Sequence, residues 1–128
     1  MHSPSIDEDG WCLDDAEALH TEFPDTFWIP SAAARRGLHP GCLVKLIFRM
    51  EAEDEAQVER MWVIVTQRVR DGEAYLGVLD NTPYFEWAVG HLEAGFELPF
   101  EPRHVIDIDD PTDSTMAIAR AEPARRWG

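Results

Sequence analysis

Residues 61–83 read MWVIVTQRVRDGEAYLGVLDNTP, two apolar alternations flanking Arg70-Asp71-Gly72, the second ending at Asp80-Asn81-Thr82-Pro83. Asp and Gly tolerate the positive φ of a tight reversal, so Asp71-Gly72 between two period-two runs predicts a β-hairpin. The first strand, drawn from Arg60 to Val69, sets Met61, Val63, Val65 and Val69 on one side and Trp62, Ile64 and Thr66 on the other. The return strand alternates Ala74, Leu76 and Val78 with Tyr75, Gly77 and Leu79, and Gly77 predicts a bulge or the close approach of a neighbour such as Trp62. Asp80 and Asn81 suit an Asx turn and Pro83 cannot donate to a ladder, so the segment should stop the sheet.

Working outward, HPGCLVKLIFRM opens with a Pro-Gly turn, after which Cys42, Val44, Leu46, Phe48 and Met50 share a face. Leu43 and Ile47 alternate with Lys45 and Arg49 on the other, partly covered face. The acidic EAEDEAQVE, residues 51–59, reads as a loop joining this strand to the hairpin. Upstream, LDDAEALHTEF carries Leu13, Ala16, Leu19 and Phe23 at helical spacing, with Asp14 or Asp15 as cap and Pro24 closing the pattern. TFWIP is a short extended piece and SAAARRG a turn or two of helix with a Ser cap. Downstream come a strand at Phe96 to Phe100, an apolar group at Val105, Ile106 and Ile108, and a weak helix before Pro123. HLEAGFELPF repeats the outline of GLHPGCLVKLIF, which predicts two similar turns into strands.

Strands outnumber helices, and the links between consecutive strands are too short for crossover helices. The expected fold is α+β: a mostly antiparallel, strongly bent sheet or partly open small β-barrel, with an N-terminal helix packed on it. At 128 residues the chain reads as a single domain, 1–128, with 1–10 and 110–128 as loosely attached termini.

The formal charge is −14, from 25 acidic against 11 basic residues, and eight acids precede the first arginine, Arg35. Phosphate backbones would be repelled, so nucleic acid is not an expected partner. The N-terminus has no basic and apolar leader pattern, and the longest apolar run, Met61 to Val65, falls far short of the ~20 residues of a membrane span. Membrane binding is not expected, and a cytoplasmic location is. Cys12 and Cys42 sit in unrelated contexts and read as free thiols.

The stretches ERMWVIVTQRV, YLGVLDNTP, DTFWIPS and LHPGCLVKLIF together resemble a group of small bacterial proteins known as a domain of unknown function. The matching positions are Glu59, Arg60, Met61, Trp62 and Val63, then Gly77, Leu79, Asp80, Asn81 and Pro83, then Leu92, Gly95 and Phe100, within Phe27 to Ile108. YFEWAVGH, between the Asn stop and the Leu-x-x-Gly turn, departs from that pattern. The resemblance brings no assigned chemistry. Some relatives of this kind look like immunity proteins of bacterial toxin systems, which implies an immunity-like inhibitor.

No Gly-x-Ser-x-Gly and no phosphate-binding glycine loop is present, and Cys42 falls on a core face. His2, His20, His39, His91 and His104 are scattered; His104 with Asp107 and Asp109 is the best cluster, equally readable as a solvated edge, so neither a metal nor a cofactor is expected. The candidate binding residues are Trp62, Asp80, Asn81, Tyr84, Phe85 and Trp87, a group of aromatics and turn-formers around the sheet stop. The leading expectation is a non-enzymatic acidic module that binds a basic protein. The alternative is a small hydrolase or ligand-binding enzyme with a pocket by Trp62, Asp80, Asn81 and His104. A structural domain pairing with its own copy is a third, and the sequence leaves the oligomeric state open.

Overall fold

The structure, a computed structural model, describes residues 2–52, 55–84 and 91–128. Its elements are α1 (Ile6–Asp9), β1 (Trp11–Leu13), α2 (Ala16–Glu22), α3 (Ala32–Arg36), β2 (Leu43–Ala52), β3 (Glu55–Val69), β4 (Ala74–Leu79), β5 (Glu97–Phe100), β6 (Val105–Asp109) and α4 (Asp113–Arg120). The fold is α+β, with one antiparallel, strongly curled half-barrel sheet in the order β1-β2-β3-β4-β5. β6 lies on the same edge of β2 as β1, beside Leu43 to Leu46, while β1 takes Phe48 to Met50.

The central hairpin forms as the alternation requires, with a wider reversal than a two-residue turn. Val69 pairs with Ala74, and Arg70, Asp71 and Gly72 between them all take positive φ, at 48°, 58° and 93°. Gly72 is required on a second count, because a Cβ there would lie 2.5 Å from the Arg36 carbonyl oxygen. Arg68 crosses the same gap, its Nη1 donating to the Arg36 and Leu38 carbonyls. The reversal is thereby fastened to the end of α3.

Two sequence expectations about this ribbon need correction. The bulge lies on β3, where Thr66 is the extra residue between the pairs Val65–Gly77 and Gln67–Leu76. With that register the side chain crowding Gly77 is Val63 rather than Trp62: a Cβ on Gly77 would sit 2.5 Å from Val63 Cγ1 and 2.7 Å from the Ile64 carbonyl oxygen. The acidic stretch is a continuation of the strands and not a loop. β2 and β3 pair without a register break from Leu43–Ile64 to Ala52–Glu55, leaving only residues 53 and 54, outside the described residues, between them. Glu55, Gln57 and Glu59 alternate with Ala56, Val58 and Arg60 and so keep the period of two, and a two-stranded ribbon lets the acidic side chains reach water.

The curl encloses the face foreseen for the strands. Val44, Leu46, Phe48, Met50, Met61, Val63 and Val65 are buried with Tyr75, Leu79, Leu98, Phe100 and Val105. On the convex side, α2 and the segment through Phe27 and Ile29 cover Ile47 and Ile106, forming a smaller cluster with Ala16 and Leu19. α2 is capped by Asp15, which accepts from Ala18 N–H at 3.0 Å, and α3 by Ser31, which accepts from Ala34 N–H at 3.1 Å. α4 packs on β3. The two echoing turns are alike in their bonding: Gly41 N–H donates to the Val65 carbonyl at 2.9 Å and Gly95 N–H to that of Leu79 at 2.7 Å.

The termini, expected to be loose, carry order. Trp127 packs against the core, 5.7 Å from the Trp11 ring, while His2 stacks on it at 4.8 Å. Its indole N–H donates to the His2 carbonyl at 3.0 Å, and Arg125 bridges to Phe96 at the start of β5. The tail thus lies along β5 and reaches the strand at the opposite edge. Among the described residues, no helix is long and apolar enough to cross a membrane.

Candidate docking face

β4 runs beside β3 only as far as Leu79, opposite Val63. The chain then turns off the edge, and four of the residues singled out from sequence meet at that point. Asp80 N–H donates to the Trp62 carbonyl at 2.9 Å, and the Asn81 side-chain oxygen accepts from Trp62 N–H. Asn81 therefore caps a neighbouring strand rather than its own backbone, so the expected Asx turn is replaced by a cross-strand bond. Tyr84 is 85% exposed, and its backbone N–H donates to the Glu59 carboxylate at 2.8 Å. Phe85 and Trp87 lie outside the described residues.

Trp62 is half-buried on the convex face, with Lys45, its cross-strand partner and the only lysine in the chain, 5.2 Å over its ring. Beside them Thr26, Phe27, Trp28, Lys45, Arg60 and Asp107 help line a shallow depression of about 270 Å³. Trp28 is 71% exposed, and the Arg60 guanidinium sits 5.8 Å over the Phe27 ring. Lys45 and Arg60 form no ion pair among the described residues; their partners are aromatic faces, an attraction that also keeps the rings at the surface. Sequence reasoning did not single out Lys45, Arg60 or Trp28 as a group. The available signal was the cationic, aromatic composition of the non-core face of two strands, but the group needs the β2–β3 register to exist.

The polar side chains proposed for an enzyme pocket do not converge. His104 is buried in a 3-10 turn, its Nδ1 accepting from Glu101 N–H at 2.9 Å. Burial, and secondarily the charge of Arg103, pull its pKa down from 6.5 to about 4, so it is neutral at pH 7. This role as a cap removes it from the expected cluster with Asp107 and Asp109, of which Asp109 is exposed. Cys42 is buried and Cys12 half-buried, both as free thiols; burial, then the Asp14 charge, raise the Cys12 pKa and disfavour its thiolate.

For a cation, His2, Glu8 and Asp9 bring potential ligand atoms within 4.8 Å of one another. Asp9 already accepts from Ser5 N–H at 2.9 Å and Glu8 is open to water, which accounts for the arrangement as a clasp at the N-terminus.

The acid-rich N-terminal region divides into two populations. Asp14, Asp15 and Glu17 bind Arg49, Arg103 and Arg35, cations supplied from later in the chain. Arg35 is itself buried, with Nε donating to the Pro30 carbonyl at 2.9 Å and Nη1 to the Pro102 carbonyl at 3.1 Å. Asp7, Glu22 and Asp25 are exposed and form no ion pair among the described residues.

No protein-family profile matches the chain, and no similar curated protein or solved structure was found.

Proposed function

We propose that this protein is a non-enzymatic acidic module whose partner is a basic protein, acting in the manner of an immunity-like inhibitor that covers a positively charged surface. One observation carries the reading. Among the described residues the buried charged or polar side chains are Arg35, His104 and Thr115, so every described carboxylate reaches solvent and the charge of −14 is presented outward. Such a field raises the encounter rate with a cationic partner and disfavours anionic ones. The sequence resemblance supplies the inhibitor part of the proposal.

The enzyme alternative has less support. Its residues Trp62, Asp80 and Asn81 meet at a strand end, where the Asn81 oxygen is already occupied by a main-chain N–H, and His104 is engaged elsewhere as a cap.

The test is affinity capture from the native host at low salt, followed by measurement of the recovered complex as salt is raised. We expect a stoichiometric basic protein whose association weakens steeply with salt. Recovery of no such partner, or of one indifferent to ionic strength, would reject the proposal.

A further inference from the structure

We infer that the open edge of β3 at Ala56, Val58 and Arg60 is a strand-addition site, and that its occupant is an extended basic segment of a partner protein. The inference rests on the basic-partner reading and specifies how that partner is gripped.

The main chain supplies the first argument. Trp62 directs both its N–H and its C=O away from β2, toward Asp80 and Asn81. The β2–β3 register is unbroken from Glu55 to Ile64, so alternation sends the N–H and C=O groups of Arg60, Val58 and Ala56 to that same side. β4 has left the edge by then, and among the described residues nothing bonds those groups. A row of unpaired donors and acceptors on a straight strand is a template for another strand. The line vacated at Asp80 is the line an added strand would take.

Side chains supply the second argument, because they say what the added strand should carry. Glu55 and Glu59 stand on one face of the edge, with Gln57 between them, and Asp80 is exposed at its inner end. The opposite face offers Val58, 44% exposed, and Arg60, whose head is drawn to Phe27. A segment alternating basic and apolar residues matches both faces at once, with its cations beside the carboxylates and its apolar side chains against Val58. Acidic side chains on an edge also discourage self-pairing, since a second copy would set glutamates against glutamates.

The test uses the full chain and a short, end-capped peptide alternating Lys and Val, with an alternating Glu-Val peptide and a Lys-Val peptide N-methylated at every second residue as comparisons. Binding is followed by NMR through the amides of Ala56, Val58 and Arg60. We expect the Lys-Val peptide to perturb those three amides and protect them from exchange. The N-methylated peptide, which retains its charge but loses one row of donors, should bind about tenfold more weakly or worse. Val58→Pro should have a similar effect from the protein side, because proline removes only an outward N–H at an edge position. Equal binding by the N-methylated peptide would overturn the strand-addition site and leave the charge-based reading standing. Failure of either basic peptide to bind at low salt would overturn both. Preference for the Glu-Val peptide, or a homodimer abolished by Val58→Pro, would overturn the choice of occupant.

Discussion

Along β3, residues 61–69 and residues 55–60 follow one alternation of side chains and end in opposite environments. The first part has β2 on one side and β4 on the other, and Met61, Val63, Ile64 and Val65 are buried. The second part has β2 alone, and Glu55, Ala56, Val58 and Arg60 are exposed. Strand formation in the outer part is therefore set by continuation of a ladder that the inner part has already registered, rather than by burial. A strand's presence and its contribution to the core are separate properties, and only the second should respond strongly to truncation.

The largest expected effect tests the inner part. Met61→Ala removes a buried side chain from the enclosed face and should lower unfolding free energy by about 2–5 kcal/mol, measured by chemical denaturation. A loss under ~1 kcal/mol would mean that the curl is loosely packed and that the contrast between the two parts is false.

Acid gives the second test. The folded pKa of His104, about 4, lies below its ordinary 6.5, so folding favours the neutral ring. That contribution is complete above pH 6.5 and is lost as pH falls toward 4; at ~1.4 kcal/mol per pKa unit it reaches about 3 kcal/mol at most. His104→Asn keeps an acceptor for the Glu101 N–H and removes the titrating ring, so its stability should fall less between pH 7 and pH 4 than that of the parent. Parallel stability curves would show that the buried ring does not control acid sensitivity.

At the junction of the two parts, Asn81→Ala leaves the Trp62 N–H without its acceptor and should cost about 1–2 kcal/mol, with Asn81→Asp recovering most of it. An unchanged alanine variant would mean that water replaces the bond freely and that the junction is as open as the outer edge.

The sequence made the inner part readable because its alternation and its Asp-Gly reversal are local signals, and the enclosed face of β2 was legible for the same reason. It was less informative wherever a position depends on distant chain. The three residues of β1 have no period to read; Trp11 is placed by Phe48 and by Trp127. The bulge at Thr66 has no composition of its own, and without it the neighbour of Gly77 cannot be named. Of the candidate site, Trp62, Asp80, Asn81 and Tyr84 were legible as a stop after a strand, but their convergence on β3 was not. The acids of residues 51–59 were mistaken for a loop because charge suggests solvent, and a solvated ribbon satisfies both charge and pairing.

The smallest expected effect is the most direct measure of the outer part. Val58 lies three positions from Met61 and on the opposite face, and it is 44% exposed. Truncation to alanine removes little buried area and opens no enclosed cavity, while the β2–β3 hydrogen bonds do not involve the side chain. Val58→Ala should therefore change unfolding free energy by no more than about 0.5 kcal/mol. A loss approaching that of Met61→Ala would place Val58 under a cover, which would remove the free edge along with the comparison. A near-zero change leaves a β-branched residue held on an open strand edge for a reason other than folding, the role that a partner strand would give it.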